Sequence, residues 1–163
     1  GKIEVGFLGG AQVDRFGNIN TTVIGAYDKP KVRLPGSGGA AEIAVHAQRV
    51  LIISRLNPRA FPAELDFLTS PGQRCKGRTR QELGMPGAGP VKVITDKGIL
   101  ENDPVTGEMV LTAIYPGVTV EDVKANVGWP LKVSATLQLV VPPTALELRL
   151  LREVLDPRML CLG

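Results

Sequence analysis

Short apolar runs separated by turn residues dominate the start of the chain. Residues 3–8 are mostly apolar and stop at two consecutive glycines, which predicts a strand. Two further extended segments flank turn chemistry at residues 16–18, and the β-branched residues 21–24 also favour a strand. Residues 29–36 have a proline near each end, so we expect at most a short extended piece there.

From residue 38 onward the apolar positions take on the spacing of a helix. They repeat at helical intervals with polar side chains on the other side: Ala40, Ile43, Ala44 and Ala47. Because most of these residues are alanines, we expect a narrow face that packs closely on a sheet. The apolar run 50–54 follows and predicts a buried strand, so that loop, helix and strand form part of an α/β unit.

The middle of the chain predicts strands on either side of a polar loop. Residues 65–69 predict a strand, and residues 70–90 predict a long loop that is either functional or a solvated connector. Four basic side chains lie in this loop: Arg74, Lys76, Arg78 and Arg80. Three strand-like pieces within residues 91–116 are separated by turns and predict an antiparallel meander.

Two helices are predicted in the last third of the chain. Thr119 is a good N-cap with acidic residues after it, and this helix should end at Gly128. The second helix should begin at residues 143–144. Its apolar stripe is expected to lie in the core rather than to form a cofactor site: Leu146, Leu150 and Val154.

The composition is that of an ordinary soluble protein with one core. With 163 residues, of which 44% are hydrophobic and 21% charged, the chain is long enough for a single domain over residues 1–163. The net charge of +3 is mild and like charges do not form blocks, so we expect no nucleic-acid partner. Apolar runs are too short for a membrane span, so we expect no membrane partner.

Residue types that bind metals or form disulfides are sparse. Cys75 and Cys161 are far apart in sequence, which favours two free thiols in a cytoplasmic protein over a disulfide. His46 is the only histidine. We therefore expect neither a metal site nor a histidine-based catalytic triad.

A glycine-rich turn precedes the first predicted helix, in the stretch RLPGSGGAAEIA at residues 33–44. It formally matches the nucleotide fingerprint G-x-G-x-x-A, but the segment before it is short and no acidic residue ends the next strand. A phosphate-binding P-loop is excluded because its lysine is missing. The turn is then either a tight connection or a set of backbone N–H groups that stabilise negative charge during acyl transfer.

Longer motifs around this turn resemble a known family. Six segments of the chain resemble, in order, the β subunit of family I CoA-transferases of the glutaconate type. They are GGAQVDRFGNINTTVIG, KPKVRLPGSGGAAEIA, LDFLTSPG, GPVKVITDKGIL, YPGVTVEDV and LLREVLDP. The likeness runs from residue 9 to residue 157. It implies a three-layer α/β fold, NagB-like, with an open, mostly parallel sheet and an antiparallel portion.

The resemblance also implies a reaction, with coenzyme A as a substrate and no tightly bound cofactor. In this family a glutamate attacks an acyl-CoA thioester, and an anhydride and a glutamyl-CoA thioester follow. Coenzyme A thereby moves between a short or dicarboxylic acyl-CoA and a carboxylic acid. The basic residues of the 70–90 loop would then meet a carboxylate or the phosphates of coenzyme A.

The resemblance assigns roles to residues in and near the glycine turn. Backbone N–H groups of Gly38 and Gly39 would form the oxyanion hole. Six neighbours would contact coenzyme A or the substrate: Gln12, Asn18, Asn20, Gly36, Ser37 and Ala40. For Asn18 a purely structural role in its turn is an equal alternative.

One part of the family pattern is missing. The nucleophilic glutamate lies in a Glu-Ser-Gly or Glu-Asn-Gly motif upstream of residue 9, and this chain has no such motif. We therefore expect the N-terminal part of the family domain to be absent. The alternatives are a CoA-thioester hydrolase or decarboxylase on the same fold, or a non-catalytic fragment that binds a partner. The implied partner is a homologous α subunit, in a heterodimer or an α2β2 heterotetramer.

Overall fold

The computed structural model describes residues 2–160. Its strands and helices follow in chain order: β1 (Val5–Leu8), β2 (Gln12–Val13), β3 (Ile19–Asn20), β4 (Val23–Gly25), β5 (Pro30–Arg33), α1 (Ala40–His46), β6 (Arg49–Ile53), β7 (Arg74–Cys75), β8 (Arg78–Thr79), β9 (Pro90–Ile94), β10 (Gly98–Asn102), β11 (Met109–Ile114), α2 (Val120–Lys124), β12 (Val133–Leu139) and α3 (Ala145–Arg149). A π-helical turn, Leu150–Leu155, continues α3.

A six-stranded sheet in the order β1-β6-β9-β10-β11-β12 organises the fold. β1, β6 and β9 run parallel, with Phe7 opposite Leu51 and Ile52 opposite Val93. β10 is antiparallel to both of its neighbours, and β12 is parallel to β11. The mostly parallel sheet with an antiparallel portion is therefore confirmed, and so is the meander of β9, β10 and β11.

Branched aliphatic side chains of the central strands form most of the core. Those that are fully buried belong to four neighbouring strands: Val50, Ile52, Val93, Leu100 and Leu111. Phe61 and Trp129 add an aromatic contact, with ring centroids 6.2 Å apart. Close packing of such side chains supplies the main favourable term in folding.

α1 packs on β1 through its small residues. Ala44 and Ala47 are buried while Glu42 is exposed, which confirms the predicted narrow face. Gly6 of β1 allows the close approach, because a side chain there would collide with Ile43.

The opposite face of β1 and β6 is open within residues 2–160. Phe7 and Leu51 pair in register on that face, and Ile53 lies on it two residues further along. Phe7 and Ile53 are exposed. A mostly parallel sheet usually has both faces covered, so this open face is unusual for the architecture.

α2 begins where the sequence predicts and ends earlier. The Thr119 hydroxyl accepts a hydrogen bond from the Asp122 N–H (3.1 Å), and the Asp122 carboxylate accepts one from the Thr119 N–H (3.2 Å). This capping box confirms Thr119 as the N-cap. The helix ends at Lys124, and Gly128 lies beyond it, where its N–H donates to the carbonyl of Phe61 (2.7 Å).

Residues 65–69 do not form the predicted strand. The Asp66 N–H donates to the side-chain oxygen of Gln12 (3.0 Å), and Phe67 stacks on Tyr27 with 5.4 Å between ring centroids. The run meets the backbone of a strand only at its end, where the Thr69 N–H donates to the carbonyl of Ile19 in β3 (2.9 Å).

The C-terminal part departs further from the prediction. The sequence pattern does not reveal β12. The stripe of Leu146, Leu150 and Val154 is 64%, 44% and 63% exposed. No residue of α3 or of the π-helical turn is buried. The prediction that this stripe lies in the core is therefore wrong. A helical period shows that one face of a helix is apolar, but it does not show what packs against that face.

The polar stretch 70–90 is more ordered than a solvated loop. It contains the hairpin of β7 and β8, in which Cys75 lies opposite Arg78. The two residues between the strands, Lys76 and Gly77, both have positive φ, at 49° and 81°. Arg80, which follows β8, is buried.

Residues 2–160 contain neither a membrane-spanning helix nor a cluster of metal ligands. None of the helices there is long and apolar enough to cross a membrane. No three histidine, cysteine, aspartate or glutamate side chains in that range cluster as metal ligands do. Cys75 is a free thiol, and Cys161 lies outside the described residues.

Candidate functional site

The glycine turn lies between β5 and α1 and has a left-handed backbone at two positions. Gly36 has a φ of +92° and Gly38 a φ of +48°, conformations that glycine adopts without steric cost. The N–H of Gly36 donates to the carbonyl of Thr21 (2.8 Å), and the Thr21 hydroxyl donates back to the carbonyl of Gly36 (2.8 Å). These two bonds fix the start of the turn.

The two predicted oxyanion-hole residues have backbone N–H groups without a partner among residues 2–160. Neither the Gly38 nor the Gly39 N–H donates a hydrogen bond there, and both residues are exposed. A Cβ at either position would meet no atom within 4 Å. Both N–H groups are therefore accessible, and their role in an oxyanion hole stays a prediction.

Ser37 and Ala40 complete the turn with internal bonds. The Ala40 N–H donates to the carbonyl of Ser37 (2.8 Å), and the Ser37 hydroxyl donates to the carbonyl of Gly38 (3.2 Å). Five of the eight predicted site residues thus lie together in one turn. Their contact with coenzyme A stays a prediction.

Gln12 and Asn20 form a buried amide pair beside the turn. The Asn20 side-chain nitrogen donates to the Gln12 side-chain oxygen (2.7 Å) and to the carbonyl of Val23 (2.7 Å). The Gln12 side-chain nitrogen donates to the Asp66 carboxylate (2.9 Å). Both amides are buried, so the pair holds residues 12–23 against the segment around Asp66. Contact of either residue with substrate stays a prediction.

Asn18 lies in a separate buried network at the end of the β2–β3 hairpin. Its side-chain nitrogen donates to the Asp14 carboxylate (2.8 Å) and to the Arg74 carbonyl (2.8 Å). Its side-chain oxygen accepts from the Gly72 N–H (2.7 Å) and from the Cys75 thiol (3.1 Å). These four bonds use both donors and both acceptor sites of the Asn18 amide. Such an arrangement agrees with the alternative that Asn18 has a purely structural role.

Burial sets the ionisation of the two groups beside Asn18. Desolvation raises the pKa of the Asp14 carboxyl, although hydrogen bonds from Asn18 and Phe16 lower it. Desolvation also raises the pKa of the Cys75 thiol, so the thiol is a poorer nucleophile than a free cysteine.

Sequence reasoning missed the residues that connect the glycine turn to the rest of the fold. The Thr69 hydroxyl oxygen accepts from the Thr21 N–H (2.9 Å) and lies 2.7 Å from the Thr22 hydroxyl. Since Thr21 also binds Gly36, Thr69 holds the turn through Thr21. The β-branched run 21–24 predicts a strand but gives no sign of these side-chain bonds.

Arg80 is one of the four basic side chains that the sequence assigns to a carboxylate or to the phosphates of coenzyme A, but it is buried and binds backbone carbonyls instead. Its guanidinium donates to the carbonyls of Ala44 (2.9 Å) and Val45 (3.2 Å), close to the C-terminal end of α1. It also donates to the carbonyls of Gly72 (3.1 Å) and Gly87 (2.8 Å). Arg80 therefore fastens the 70–90 stretch to the helix that follows the glycine turn.

Comparison with known proteins assigns the chain to a family. The family model described as coenzyme A transferase matches residues 1–126, a stretch that includes the glycine turn and both buried amide networks. The chain belongs to the coenzyme A transferase family.

Two relatives in this family are the B subunits of CoA-transferases. The chain is 53% identical over 154 residues to the B subunit of 3-oxoadipate CoA-transferase from Pseudomonas knackmussii, covering 94% of the chain and 59% of that protein. It is 44% identical over 154 residues to the B subunit of glutaconate CoA-transferase from Acidaminococcus fermentans, covering 94% and 57%. The crystal structure of glutaconate coenzyme A-transferase from that organism matches with a TM-score of 0.86 and 41% identity, over 96% of the chain and 60% of the matched one.

A relative with a different activity is more distant. The cholesterol ring-cleaving hydrolase IpdB subunit of Rhodococcus jostii is 26% identical over 153 residues, covering 94% of the chain and 60% of that protein. The chain spans about three fifths of the length of each of these relatives. In this coenzyme A transferase chain, all eight predicted site residues fall within the stretch that the family model matches.

Proposed function

We propose that the chain is the B subunit of a CoA-transferase that moves coenzyme A between a short or dicarboxylic acyl-CoA and a carboxylic acid. The observation that carries this proposal is the identity of 53% and 44% to the B subunits of two CoA-transferases over 94% of the chain. The identity to the hydrolase subunit is 26% over the same share of the chain.

The open glycine turn supports this function. Each acyl-transfer step places negative charge on a carbonyl oxygen, and preorganised N–H donors lower the barrier most when they meet that charge as it forms. Gly38 and Gly39 present two such donors without a partner in the described chain. Gly36 and Ser37 shape the approach to them.

The nucleophile in this proposal is a glutamate outside residues 1–163. Its carboxylate attacks the thioester carbonyl, the coenzyme A thiolate leaves, and an acyl-glutamyl anhydride forms. The thiolate then attacks the glutamyl carbonyl, which releases the first carboxylate and leaves a glutamyl-CoA thioester. The acceptor carboxylate repeats the two steps in reverse order, so one thioester is exchanged for another and no water is consumed.

The proposal includes a partner and a compartment. Both CoA-transferase relatives are B subunits by name, which supports a homologous α subunit as the partner, in a heterodimer or an α2β2 heterotetramer. Coenzyme A is a substrate here, and no tightly bound cofactor is required by the chemistry. The free thiol of Cys75 fits the cytoplasm.

Product analysis of the native protein, purified with any polypeptide that accompanies it, tests this function. The protein is given an acyl-CoA with and without a carboxylate acceptor. A transferase forms the acceptor's CoA thioester and releases no free thiol. A hydrolase releases free coenzyme A without an acceptor, and a decarboxylase releases carbon dioxide. A preparation that turns over no acyl-CoA would favour the non-catalytic alternative.

Gly39→Val tests the role of the turn in the assembled enzyme. A branched side chain at this position crowds the space that a reacting carbonyl needs, so we expect kcat to fall by about 10²–10³-fold, as when an oxyanion donor is lost. The midpoint of thermal unfolding should stay close to that of the wild type, because the added Cβ meets no atom within 4 Å.

Ala135→Val is the matched control for Gly39→Val. Ala135 is exposed on β12, where a β-branched side chain is well tolerated. This variant should retain both turnover and stability. A Gly39→Val enzyme with wild-type kcat would rule out the oxyanion-hole assignment.

A further inference from the structure

A cavity of about 880 Å³ lies beside the glycine turn, and the proposed chemistry leaves it without a role. The described residues that line it lie between Asp14 and Leu83 in sequence. One wall is formed by the β7–β8 hairpin, and apolar side chains line much of the remainder, among them Phe16, Phe67 and Leu68. The volume is in the range of small-molecule sites in proteins.

The hairpin wall carries basic groups with free donors. Arg74 uses its Nε to bind the carbonyl of Thr106 (2.7 Å), and Arg78 uses one terminal nitrogen to bind the carbonyl of Glu82 (2.7 Å). Their other guanidinium nitrogens have no acceptor among residues 2–160, and neither does the Lys76 ammonium group. Three cations with unused donors therefore face one region.

Lys76 occupies a backbone position that does not suit lysine. In a two-residue hairpin turn with positive φ at both positions, asparagine followed by glycine is preferred. Lys76 has a φ of 49°, and a residue other than glycine, asparagine or aspartate is uncommon in this region. A lysine at this position of the cavity rim lowers the stability of the turn. This cost suggests that the positive charge of Lys76 serves to bind an anion.

Among residues 2–160 no carboxylate forms an ion pair with the three cations of this wall; Glu82, which Arg78 and Arg74 attract, accepts hydrogen bonds from the Thr79 N–H (2.7 Å) and hydroxyl (2.8 Å). Four cations and three carboxylates line it, the fourth cation being Arg15. Asp14 accepts from Asn18, and Asp66 accepts from Gln12, so two of the three carboxylates already have donors. Glu64 is exposed.

The cavity and the glycine turn are neighbours but separate. Leu68 lines the cavity, and the next residue, Thr69, accepts the Thr21 N–H, while the Thr21 carbonyl accepts the Gly36 N–H. None of the turn residues lines the cavity. A ligand that reaches both must be long, with its reacting carbonyl at one end and its anionic groups at the other.

We propose that this cavity binds the phosphate-bearing nucleotide end of coenzyme A, with Arg74, Lys76 and Arg78 on the phosphates and the apolar wall on the adenosine. The inference rests on the proposed function, because it places the acyl thioester at the glycine turn. Arginine and lysine on phosphate form charge-assisted hydrogen bonds, the strong class of such bonds.

The far carboxylate of a dicarboxylic acyl group has the same anionic chemistry but fits less well. A short acyl chain keeps that carboxylate close to the thioester carbonyl, whereas the pantetheine arm carries the phosphates away from it. Three cations also exceed what one carboxylate needs, while the nucleotide end carries several negative charges.

Calorimetric titration of the chain with adenosine 3′,5′-bisphosphate tests the proposal. This probe is the nucleotide end of coenzyme A without the pantetheine arm and the second phosphate of the 5′-diphosphate. Glutarate, as a dicarboxylate, and inorganic phosphate are titrated separately at the same ionic strength. We expect the bisphosphate to bind and the other two to bind far more weakly, with an affinity that falls as salt is raised.

Two variants remove charge from the wall without harming the fold. Lys76→Asn puts the preferred residue into the turn, and Arg78→Gln changes an exposed side chain. Together they should weaken bisphosphate binding by about tenfold or more, which is roughly the loss of one charge-assisted contact. Lys124→Gln, the same change of charge in exposed α2, should leave the affinity within about twofold.

The outcomes separate this inference from the proposed function. No binding of the bisphosphate to the wild type, or equal binding by the double variant, overturns the inference and leaves a measured transfer activity untouched. Tight glutarate binding that depends on Lys76 and Arg78 overturns it as well, by assigning the wall to the acyl carboxylate. Bisphosphate binding that the double variant loses supports the inference even if the native protein proves to be a hydrolase.

Discussion

Arg80 carries a positive charge into the interior and meets only backbone carbonyls there. Four carbonyl oxygens accept its hydrogen bonds, two of them near the end of α1. No carboxylate pairs with it among the described residues. Burial lowers the pKa of the guanidinium, yet arginine stays protonated in proteins. Gly89 allows this arrangement, because a side chain there would collide with the guanidinium.

Replacing Arg80 with methionine should therefore destabilise the chain. The variant keeps most of the side-chain volume and leaves buried carbonyls without donors, which costs about 2–4 kcal/mol when several are affected. The free energy of unfolding from urea titration measures the loss. Arg80→Lys should recover only part of it, since one ammonium group cannot span the same carbonyls.

Arg59→Met is the control for Arg80→Met. Arg59 is exposed and its side chain has no partner within residues 2–160, so the change should stay within about 0.5 kcal/mol. Equal stability of the Arg80 and Arg59 variants would show that the carbonyls find other donors and that Arg80 does not hold α1.

At the scale of elements, the start of α2 depends on a single carboxylate. Hydrogen bonds from the Thr119 hydroxyl and N–H lower the pKa of Asp122. Because this pKa is lower in the folded chain than in the unfolded one, the carboxylate stabilises the fold at pH values above its ordinary pKa of 3.8. The contribution is lost as the pH falls through the lower pKa of the folded state.

Asp122→Asn should therefore flatten the acid side of the stability curve. We expect the variant to be less stable than the wild type at neutral pH and the difference to shrink as the pH falls below about 4. Thermal unfolding at a series of pH values measures it. Glu121→Gln, in the same turn but outside the capping box, should keep the acid dependence of the wild type. Parallel curves for Asp122→Asn and the wild type would contradict the prediction.

Elements set by local chemistry were predictable from the sequence, whereas elements set by distant contacts were not. Thr119 and Thr144 both form capping boxes, whose partners lie three residues away in sequence. The run 65–69 has the composition of a strand, but Gln12 and Tyr27, far away in sequence, take its N–H and aromatic groups. No pattern within the run can show that.

The same distinction applies to the candidate site. Gly38 and Gly39 can be proposed from the sequence because the motif that carries the family resemblance is continuous there, and their role stays a prediction. Arg80 and Thr69 act on the turn from far along the chain, through carbonyls and threonines that carry no motif. Basic residues in the 70–90 stretch looked alike in the sequence, and only the fold separates buried Arg80 from the residues on the cavity wall.

At the scale of the whole molecule, the described chain leaves two apolar surfaces uncovered. One is the open sheet face around Phe7 and Ile53, and the other is the stripe of Leu146, Leu150 and Val154. Contiguous apolar patches are rare on monomeric proteins and mark surfaces that bind other polypeptides or ligands. Both surfaces fit the proposed assembly with a further subunit.

Substitutions in the stripe test whether its side chains lie on the surface or in the core. Leu150→Gln together with Val154→Gln should lower the binding of a hydrophobic dye, because it removes exposed apolar area. The free energy of unfolding should change by no more than about 0.5 kcal/mol, as for other exposed positions. Val105→Gln, a single exposed residue in a turn, should change neither quantity. Unfolding of the double variant would contradict the prediction and show that the stripe packs against other residues.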